Sequence, residues 1–593
     1  MGIAQDLALI DGLVRSLIAY RHIRPDMKRT VADDLEETID KHRGNVAIRF
    51  EGAEWTYAQL EARANRYANW AAAQGVKQGE RVALLMSNRP DYIACWFGLS
   101  KLGIVSALIN TNLIGGPLAH CINIAEARHV ITSGDLADHA LQVRDQTAQP
   151  RVWTLDGAHQ GAEDLETALA GVSDARPARS VREGVKPNDS ALLVYTSGTT
   201  GAPKAARMTQ IRTLGMLRAF IGGGHATARD RVYLTLPLYH ATGGLTGVGF
   251  ALESGGVLLL RNKFSASHFW EDAVAERATV FFYIGELGRY LLNAPPHDLE
   301  TKHQLRLGVG NGMRPEVWQR FVDRFKIPRL LEFYGSTEGN VNILNFDGKV
   351  GAIGRVPSWL RWRFSIRLIK YDVDADTPVR SADGLCVESD IDEPGEAIGE
   401  IKPDDPRYQF QGYTGDPKQT EKKILRNVFS QGDAWFRTGD LLRKDKDGYF
   451  YFVDRIGDTY RWKGENVSTN EVGDVISTTP GITEANVYGV RVEGQDGRAG
   501  MAAITPGEGF DLAKLWKTVH TELPSYARPV FLRIQPSIET TGTFKYRKVD
   551  LVADGFDPSK SPGVLYFDDA SVGGYAPLTP AIYQDIQSGN RRI

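Results

Sequence analysis

Cysteine is scarce in this chain of 593 residues: Cys95, Cys121 and Cys386 are the three present, an odd number with no CxxC pair. That excludes a disulfide framework and a thiolate metal cluster. It fits buried free thiols in a reducing compartment. Net charge is scarce as well. Seventy Lys and Arg against 73 Asp and Glu leave −3, too little basic charge to track a phosphate backbone, so no nucleic acid partner is expected. Long apolar runs are missing: none approaches the ~20 residues that span a bilayer. The best candidate, Leu245 to Leu260, is interrupted by Glu253 and four glycines and reads as core. The first residues lack a basic region ahead of an apolar stretch, so no secretory signal is expected. Asp6 stands where a myristoylation signal needs Ser or Thr. There is no repeat and no long low-complexity tract.

What is present is a globular composition, 42% hydrophobic and 24% charged, on a chain too long for one core, so two or more domains are expected. Ile3, Leu7, Ile10, Leu13, Leu17 and Ile18 recur at helical spacing, followed by Arg21, Arg24, Lys28 and Arg29. Two readings stand: a helix docked on its own domain, which is preferred, and an interfacial helix with a basic collar. Thr56 and Gln59 form a capping-box pattern ahead of a face made by Tyr57, Leu60, Ala64, Tyr67, Ala68 and Ala71, with Gly75 to close the helix. Strands are expected over 82–86, 104–109 and 191–194, and a helix over 92–102. Such alternation implies parallel sheets with helices on their faces and ligands at the carboxyl ends of the strands. Residues 170–190 read as a connector, and a second boundary falls near Asp454-Arg455.

The densest chemistry lies at 195–204, Tyr-Thr-Ser-Gly-Thr-Thr-Gly-Ala-Pro-Lys. Glycines let a backbone approach a ligand closely. Exposed N–H groups and hydroxyls suit phosphate oxygens, and a lysine adds a point charge. It is not a Walker A loop, because Pro203 precedes the lysine and Ala205 follows it. Thr-Ser-Gly-Thr-Thr-Gly-x-Pro-Lys resembles the signature of the acyl-adenylate-forming enzymes. Further segments support that resemblance in the family's order: Tyr334-Gly335-Ser336-Thr337-Glu338-Gly339, Thr438-Gly439-Asp440, Asp454-Arg455 and Lys545 within Thr-Gly-Thr-Phe-Lys. The nearer likeness is to the fatty acid transport protein and very-long-chain acyl-CoA synthetase branch. It is carried by Asn110-Thr111-Asn112-Leu113, Leu236-Pro237-Leu238-Tyr239-His240, Tyr283-Ile284-Gly285-Glu286-Leu287 and Gly310-Asn311-Gly312-Met313-Arg314-Pro315. It continues in residues 422–429 and 574–578, so it covers almost all of the chain after residue ~30.

The resemblance implies an α/β fold. A large N-terminal adenylate-forming domain with parallel-rich sheets and helices is joined to a smaller, mobile α+β C-terminal domain. The expected division is an amphipathic segment at 1–29, the AMP-binding domain at 30–454 and the mobile domain at 455–593. The implied reaction joins a long or very long fatty acid to coenzyme A, with ATP and Mg²⁺, through an acyl-AMP. A carboxylate is a poor electrophile, and attack on the α-phosphorus of ATP gives it a good leaving group. Negative charge builds at crowded oxygens, so fixed donors and Mg²⁺ should supply most of the catalysis.

By the motif matches, Tyr195, Thr196, Ser197, Gly198, Thr199, Thr200, Gly201 and Lys204 hold the β- and γ-phosphates, and Thr196 with Glu338 holds Mg²⁺. Tyr334 stacks on adenine beside Gly310, Asn311 and Gly312, with Gly335 and Thr337 in the same nucleotide motif. Asp440 takes the ribose hydroxyls, and Arg455 takes ribose or phosphate. Lys545 reaches the acyl and α-phosphate oxygens during adenylation. His240 lines the carboxylate end of the acyl pocket; Tyr283 and Tyr290 are either its lining or core. Lys463, Gly464 and Glu465 face the coenzyme A tunnel after the C-terminal domain rotates. Gly457, Arg461 and Glu332 depart from the wider family, which carries lysine or aspartate, lysine, and glutamine there. A same-fold rival stops at acyl-AMP and feeds a carrier protein; a rival of another class moves fatty acid across a membrane without ligase activity. The expected location is cytoplasmic, with peripheral contact on the inner face of the membrane, and an oligomer is left open.

Overall fold

Short apolar runs separated by amphipathic helices leave a chain one economical solution, parallel strands with helices packed across them. The computed structural model, which describes residues 3–196, 203–373, 375–405, 408–463, 465–495, 497–538, 548–591 and 593, follows that logic. The chain separates into two compact units, the first made of residues 1–355, 400–425 and 434–436, the second of 356–399, 426–433 and 437–593.

The first unit holds two sheets. A seven-stranded sheet runs in the order Glu163–Asp164, Arg151–Thr154, His129–Thr132, Arg81–Leu85, Val105–Leu108, Ser190–Thr196 and Lys204–Thr209. All its pairs are parallel except the last, a hairpin. An eight-stranded sheet has parallel strands Leu330–Gly335, Leu307–Asn311, Val280–Ile284, Arg231–Leu234, Val257–Leu260 and Val46–Phe50 in that order, with antiparallel strands at its two edges. The 245–260 run is core as expected: Phe250, Leu252, Leu258, Leu259 and Leu260 are all buried.

The expected helix after Thr56 spans Tyr57–Ala73, with the Thr56–Gln59 capping box formed in both directions and Gly75 beyond its end at φ +74°. Residues 170–190 connect two parts of the same unit rather than two domains. They are pinned: the buried Arg182 guanidinium donates to Asp33 at 2.8 Å and to Glu36, and Arg176 donates to Asp40 and Glu61.

The first helix, Ile3–Ala19, is docked on its own unit, as preferred, and also leaves an apolar face exposed. One face is docked: Leu9 is buried, the neighbouring Tyr20 hydroxyl donates to the Gly215 carbonyl at 2.9 Å, and a Cβ on Gly12 would lie 2.4 Å from the Phe346 ring. The opposite face is bare and apolar, with Leu7, Ile10, Val14, Leu17 and Ile18 each 43% to 60% exposed. Among the described residues no helix is long and apolar enough to cross a membrane.

In the second unit, residues 440–444 pair antiparallel with 450–455, and Ile366–Ile369 with 396–399. A five-stranded sheet of Ile482–Val490, Ala499–Pro506, Phe531–Ile534, Val564–Asp569 and Gly574–Pro577 follows. Helices Thr469–Ser477 and Leu512–Glu522 share its core. The three cysteines are buried and free.

Candidate functional site

Strands Ser190–Thr196 and Lys204–Thr209 pair antiparallel, and the two described ends of the 195–204 segment meet there, with Thr196 and Lys204 as Cα partners. Ser197, Gly198, Thr199, Thr200 and Gly201 lie outside the described residues. The Tyr195 side chain points into the core and donates its hydroxyl to the Cys121 carbonyl at 2.7 Å, so what it offers the mouth is backbone. His120 Nε2 lies 3.2 Å from the Pro203 carbonyl. Helix Gly115–Ala125 therefore braces both ends of the loop through consecutive residues.

Lys204 Nζ donates to Gln419 Oε1 at 3.0 Å and sits 5.4 Å from the centroid of the Tyr413 ring. Burial, then the nearby Lys423, pulls its ammonium below the ordinary lysine range, so the group gains from an anion placed against it. Tyr413 in turn donates its hydroxyl to Glu338 Oε1 at 2.9 Å. Burial first and the Glu338 carboxylate second raise the Tyr413 hydroxyl far above the usual tyrosine range, which keeps its proton in place. The segment is clipped to the hairpin: Tyr413 bridges Ala206 and Thr414 N–H donates to the Ala205 carbonyl at 2.9 Å. Lysine, aromatic ring and acidic side chain thus form one line within the first unit.

Glu338 sits on the turn after strand Leu330–Gly335. The Gly339 N–H donates to Ser336 Oγ at 3.0 Å. The turn is held from below by Arg212 of helix Gln210–Arg218, whose guanidinium donates to the carbonyls of Thr337 at 2.8 Å, Ser336 at 3.1 Å and Gly339. Burial lowers the Arg212 pKa to about 10, and Glu338 opposes the shift, so the group is a cation at neutral pH. A planar fork can serve three carbonyls at once where an ammonium cannot.

Glu332, buried on the same strand, organises the neighbouring loop. It accepts from Tyr283 hydroxyl at 2.9 Å, Gly312 N–H at 3.0 Å and Met313 N–H at 2.9 Å. Burial pushes its carboxyl up to about 8 in spite of these three donors. Gly312 has φ +81°, and a Cβ on Gly310 would lie 2.3 Å from the Tyr283 carbonyl, so both positions require glycine. Tyr283 is fully buried, with its ring against Gly310 and its hydroxyl on Glu332. The three segments that follow Val280–Ile284, Leu307–Asn311 and Leu330–Gly335 emerge from the carboxyl ends of adjacent parallel strands, where open α/β sheets gather ligands.

Tyr334 is half-buried and Gly335 exposed there. Asn311 Oδ1 is buried with no hydrogen-bond partner among the described residues. An orphaned buried acceptor is costly, so this oxygen suits a hydrogen-bond donor on a ligand. His240, half-buried, precedes the π-helical turn Ala241–Gly247, with its ring 5.3 Å from that of Tyr239. Tyr290 stacks on Phe264 at 6.3 Å.

In the second unit, Asp440 and Arg455 are Cα partners on antiparallel strands, with Arg455 Nε 3.9 Å from Asp440 Oδ1. Gly439, at φ +80°, turns the backbone just before them. The adjacent Asp454 is buried and accepts from Thr469 N–H at 2.6 Å and Asn470 Nδ2 at 2.9 Å. Lys463, at φ +52°, and Glu465 are exposed at the tip of the hairpin Tyr460–Trp462/Glu465–Val467. Gly464 and Lys545 lie outside the described residues. Arg212, Tyr413 and His120 were missed by motif reading. Gly412 and Gly415, both at positive φ, mark the turn that carries Tyr413 but not its partner.

Loops at the carboxyl ends of parallel strands, a glycine-rich strand connection and a turn bearing an acidic residue fit the AMP-binding class of enzymes. Residues 35–364 match the model of the AMP-binding enzyme family, and residues 471–545 match its C-terminal domain. The chain belongs to that family, in the branch of the long-chain fatty acid transport proteins. It is 44% identical over 567 residues to long-chain fatty acid transport protein 6 of Mus musculus, covering 94% of this chain and 90% of that protein. Two solved structures share the fold. ATP-bound MatB from Rhodopseudomonas palustris superposes with a TM-score of 0.74 at 24% identity over 88% of this chain and 98% of that one. The Mycobacterium tuberculosis fatty acyl CoA synthetase does so at 0.61 and 24% identity, over 89% and 98%.

Proposed function

We propose that the protein is an ATP- and Mg²⁺-dependent long- or very-long-chain fatty acyl-CoA synthetase. It would convert fatty acid, ATP and coenzyme A to acyl-CoA, AMP and pyrophosphate through an acyl-AMP. The observation that supports this reading best is the line from Lys204 through Tyr413 to Glu338 beside the glycine-rich hairpin. In this reading Lys204 and the hairpin backbone carry the β- and γ-phosphates. The Asn311 acceptor and the Tyr334 ring take adenine, and Asp440 takes the ribose. Lys545 from the C-terminal domain meets the developing charge at the α-phosphate.

Thr196 and Glu338 offer hard oxygen donors of the kind Mg²⁺ takes together with waters, and the ion when bound neutralises phosphate charge. Among the described residues no group of three or more His, Cys, Asp and Glu side chains forms a protein cage for a metal. An ion held largely by phosphate and water needs none. Rotation of the C-terminal domain about the Asp454-Arg455 boundary would withdraw Lys545 and bring Lys463 and Glu465 to coenzyme A. The acyl chain, passing His240, gains ~0.8 kcal/mol per buried CH₂, so a two-carbon extension is worth about fifteenfold.

Purified protein with ATP, Mg²⁺, coenzyme A and straight-chain acids of increasing length, followed by mass detection, tests the reading. Both acyl-AMP and acyl-CoA are expected. Acyl-AMP alone points to a carrier-dependent ligase, and neither product points to transport without ligation.

The bare face of helix Ile3–Ala19, with Arg21, Arg24 and Lys28 exposed just beyond it, supports peripheral contact with an anionic membrane, the phase into which a free fatty acid partitions. Removal of residues 1–29 should lower co-sedimentation with anionic liposomes; unchanged binding sinks this part.

A further inference from the structure

Behind the docked face of helix Ile3–Ala19 lies a cavity of about 440 Å³. Arg329 and Leu330, which help line it, stand at the amino end of the strand Leu330–Gly335. The nucleotide segments leave that strand at its carboxyl end, roughly 17 Å away at ~3.3 Å per residue. The cavity is therefore separate from the site described above.

Its wall is apolar on one side, formed by Trp318, Val322, Leu330 and Phe346. Phe346 is clamped, since a Cβ on either Gly12 or Gly223 would lie 2.4 Å from its ring. On the polar side Asp11 pairs with Arg15 at 2.7 Å and His225 at 2.9 Å, and Asp347 shares Arg355, 3.4 Å away, with Asp6. Arg329 donates to the Phe346 carbonyl at 3.2 Å, and among the described residues no carboxylate lies within ion-pair distance of it. Burial and the neighbouring Arg306 work against its charge, and Asp11 opposes them in part. A half-buried guanidinium with no carboxylate in ion-pair contact among the described residues stands next to an apolar wall, and its fork matches a carboxylate or phosphate.

We propose that this cavity binds a single-chain anionic amphiphile, its head group on Arg329 and its chain against Trp318, Val322 and Leu330. The head group comes from either a free fatty carboxylate or a lipid phosphate. This inference does not rest on the acyl-CoA synthetase reading.

The test uses the full chain and an 11-bromoundecyl chain bearing a carboxylate, a phosphonate or an alcohol, with quenching of Trp318 fluorescence as readout. Saturable quenching by both anionic probes is expected, and it should disappear in Trp318→Phe. Arg329→Gln should weaken the anionic probes by roughly tenfold, the value of one charge-assisted hydrogen bond, and leave the alcohol unchanged. Val322→Phe, which fills the chain end, should weaken all three probes. The tighter of the two anions identifies the source, fatty acid or lipid phosphate.

Equal binding of the alcohol, or an Arg329→Gln variant indistinguishable from wild type, overturns the proposal. If Arg329→Gln does not fold, as judged by its melting curve, Val322→Phe carries the test alone, and unaltered quenching there is the refuting result. Pyrophosphate exchange is read in parallel. It should be unchanged in Arg329→Gln, and its loss from a folded variant would assign Arg329 to the reaction and overturn a separate site.

Discussion

Tyr413 donates its hydroxyl to Glu338 across 2.9 Å while its ring faces the Lys204 ammonium at 5.4 Å. One side chain thereby couples the lysine proposed to hold phosphate to the acidic residue proposed to hold Mg²⁺. The two are more than one hundred positions apart in sequence and on different sheets, Lys204 at a hairpin mouth and Glu338 on the turn after a parallel strand. The tyrosine belongs to neither sheet motif. Its backbone is clipped to the hairpin strand by the Ala206 bridge, so that segment, together with Arg212, ties the turn to the hairpin.

Tyr413→Phe removes the donor to Glu338 and keeps the ring. A hydrogen bond to a charged group is worth about 1.5–3 kcal/mol, so acid-dependent pyrophosphate exchange should fall about ten- to hundredfold, with most of the loss in the Mg²⁺ dependence. The melting temperature should move little, because the ring still packs. Equal loss at saturating and limiting Mg²⁺ would detach Tyr413 from the metal.

Arg212→Lys tests the brace beneath the turn. One ammonium cannot serve the three carbonyls that Arg212 serves, and a buried carbonyl left unpaired costs about 1–3 kcal/mol. The variant should melt lower and lose affinity for ATP, and Arg212→Met should lose more of both. Lowered stability with unaltered ATP affinity in a calorimetric titration would make the brace purely structural.

Much of this architecture was legible before any coordinates. Short apolar runs and the helical face after Thr56 placed the strands and the cap because each is decided by residues within a few positions. The motif segments fell at strand ends for the same reason. What could not be read were the braces. Arg212 reaches residues 124 to 127 positions away and Tyr413 reaches one 75 away, and nothing local to an arginine or a tyrosine announces such a partner. Glu332 shows the same limit: its departure from glutamine was visible, while its grip on Tyr283 and the Gly312–Met313 backbone was not. The first helix posed a choice between docking and display, and a helix has two faces with which to do both.

Glu332 gives a pH prediction. Its folded-state pKa, raised by burial to about 8 from an ordinary value of 4.5, means the folded protein holds a proton that the unfolded chain releases. That contribution to stability is fully present below about pH 4.5 and is lost as pH rises through about 8. Glu332→Gln cannot ionise, so its melting temperature should decline less between pH 6 and pH 9 than that of wild type. It should start lower, because the amide nitrogen cannot accept from Gly312. Parallel slopes for the two proteins would show that Glu332 does not titrate in this window.

Lys545 carries the sharpest test of the proposed two-step cycle. In the adenylation half-reaction negative charge gathers on the α-phosphate and the acyl oxygens, where a compact ammonium is effective. In the thioester half-reaction the leaving group is AMP, and the proposed rotation has taken Lys545 away while Lys463 and Glu465 face coenzyme A. Lys545→Ala should therefore cut pyrophosphate exchange by at least about a hundredfold, the scale of losing one preorganised charge-stabilising donor. Formation of acyl-CoA from supplied acyl-AMP should stay within about threefold of wild type, a loss of under ~0.7 kcal/mol in transition-state binding. The converse should hold for the hairpin that bears Lys463 and Glu465: its disruption should spare exchange and slow the thioester step. If Lys545→Ala lowers both half-reactions to the same degree, a single arrangement of the two domains serves both steps and the rotation is not part of the cycle.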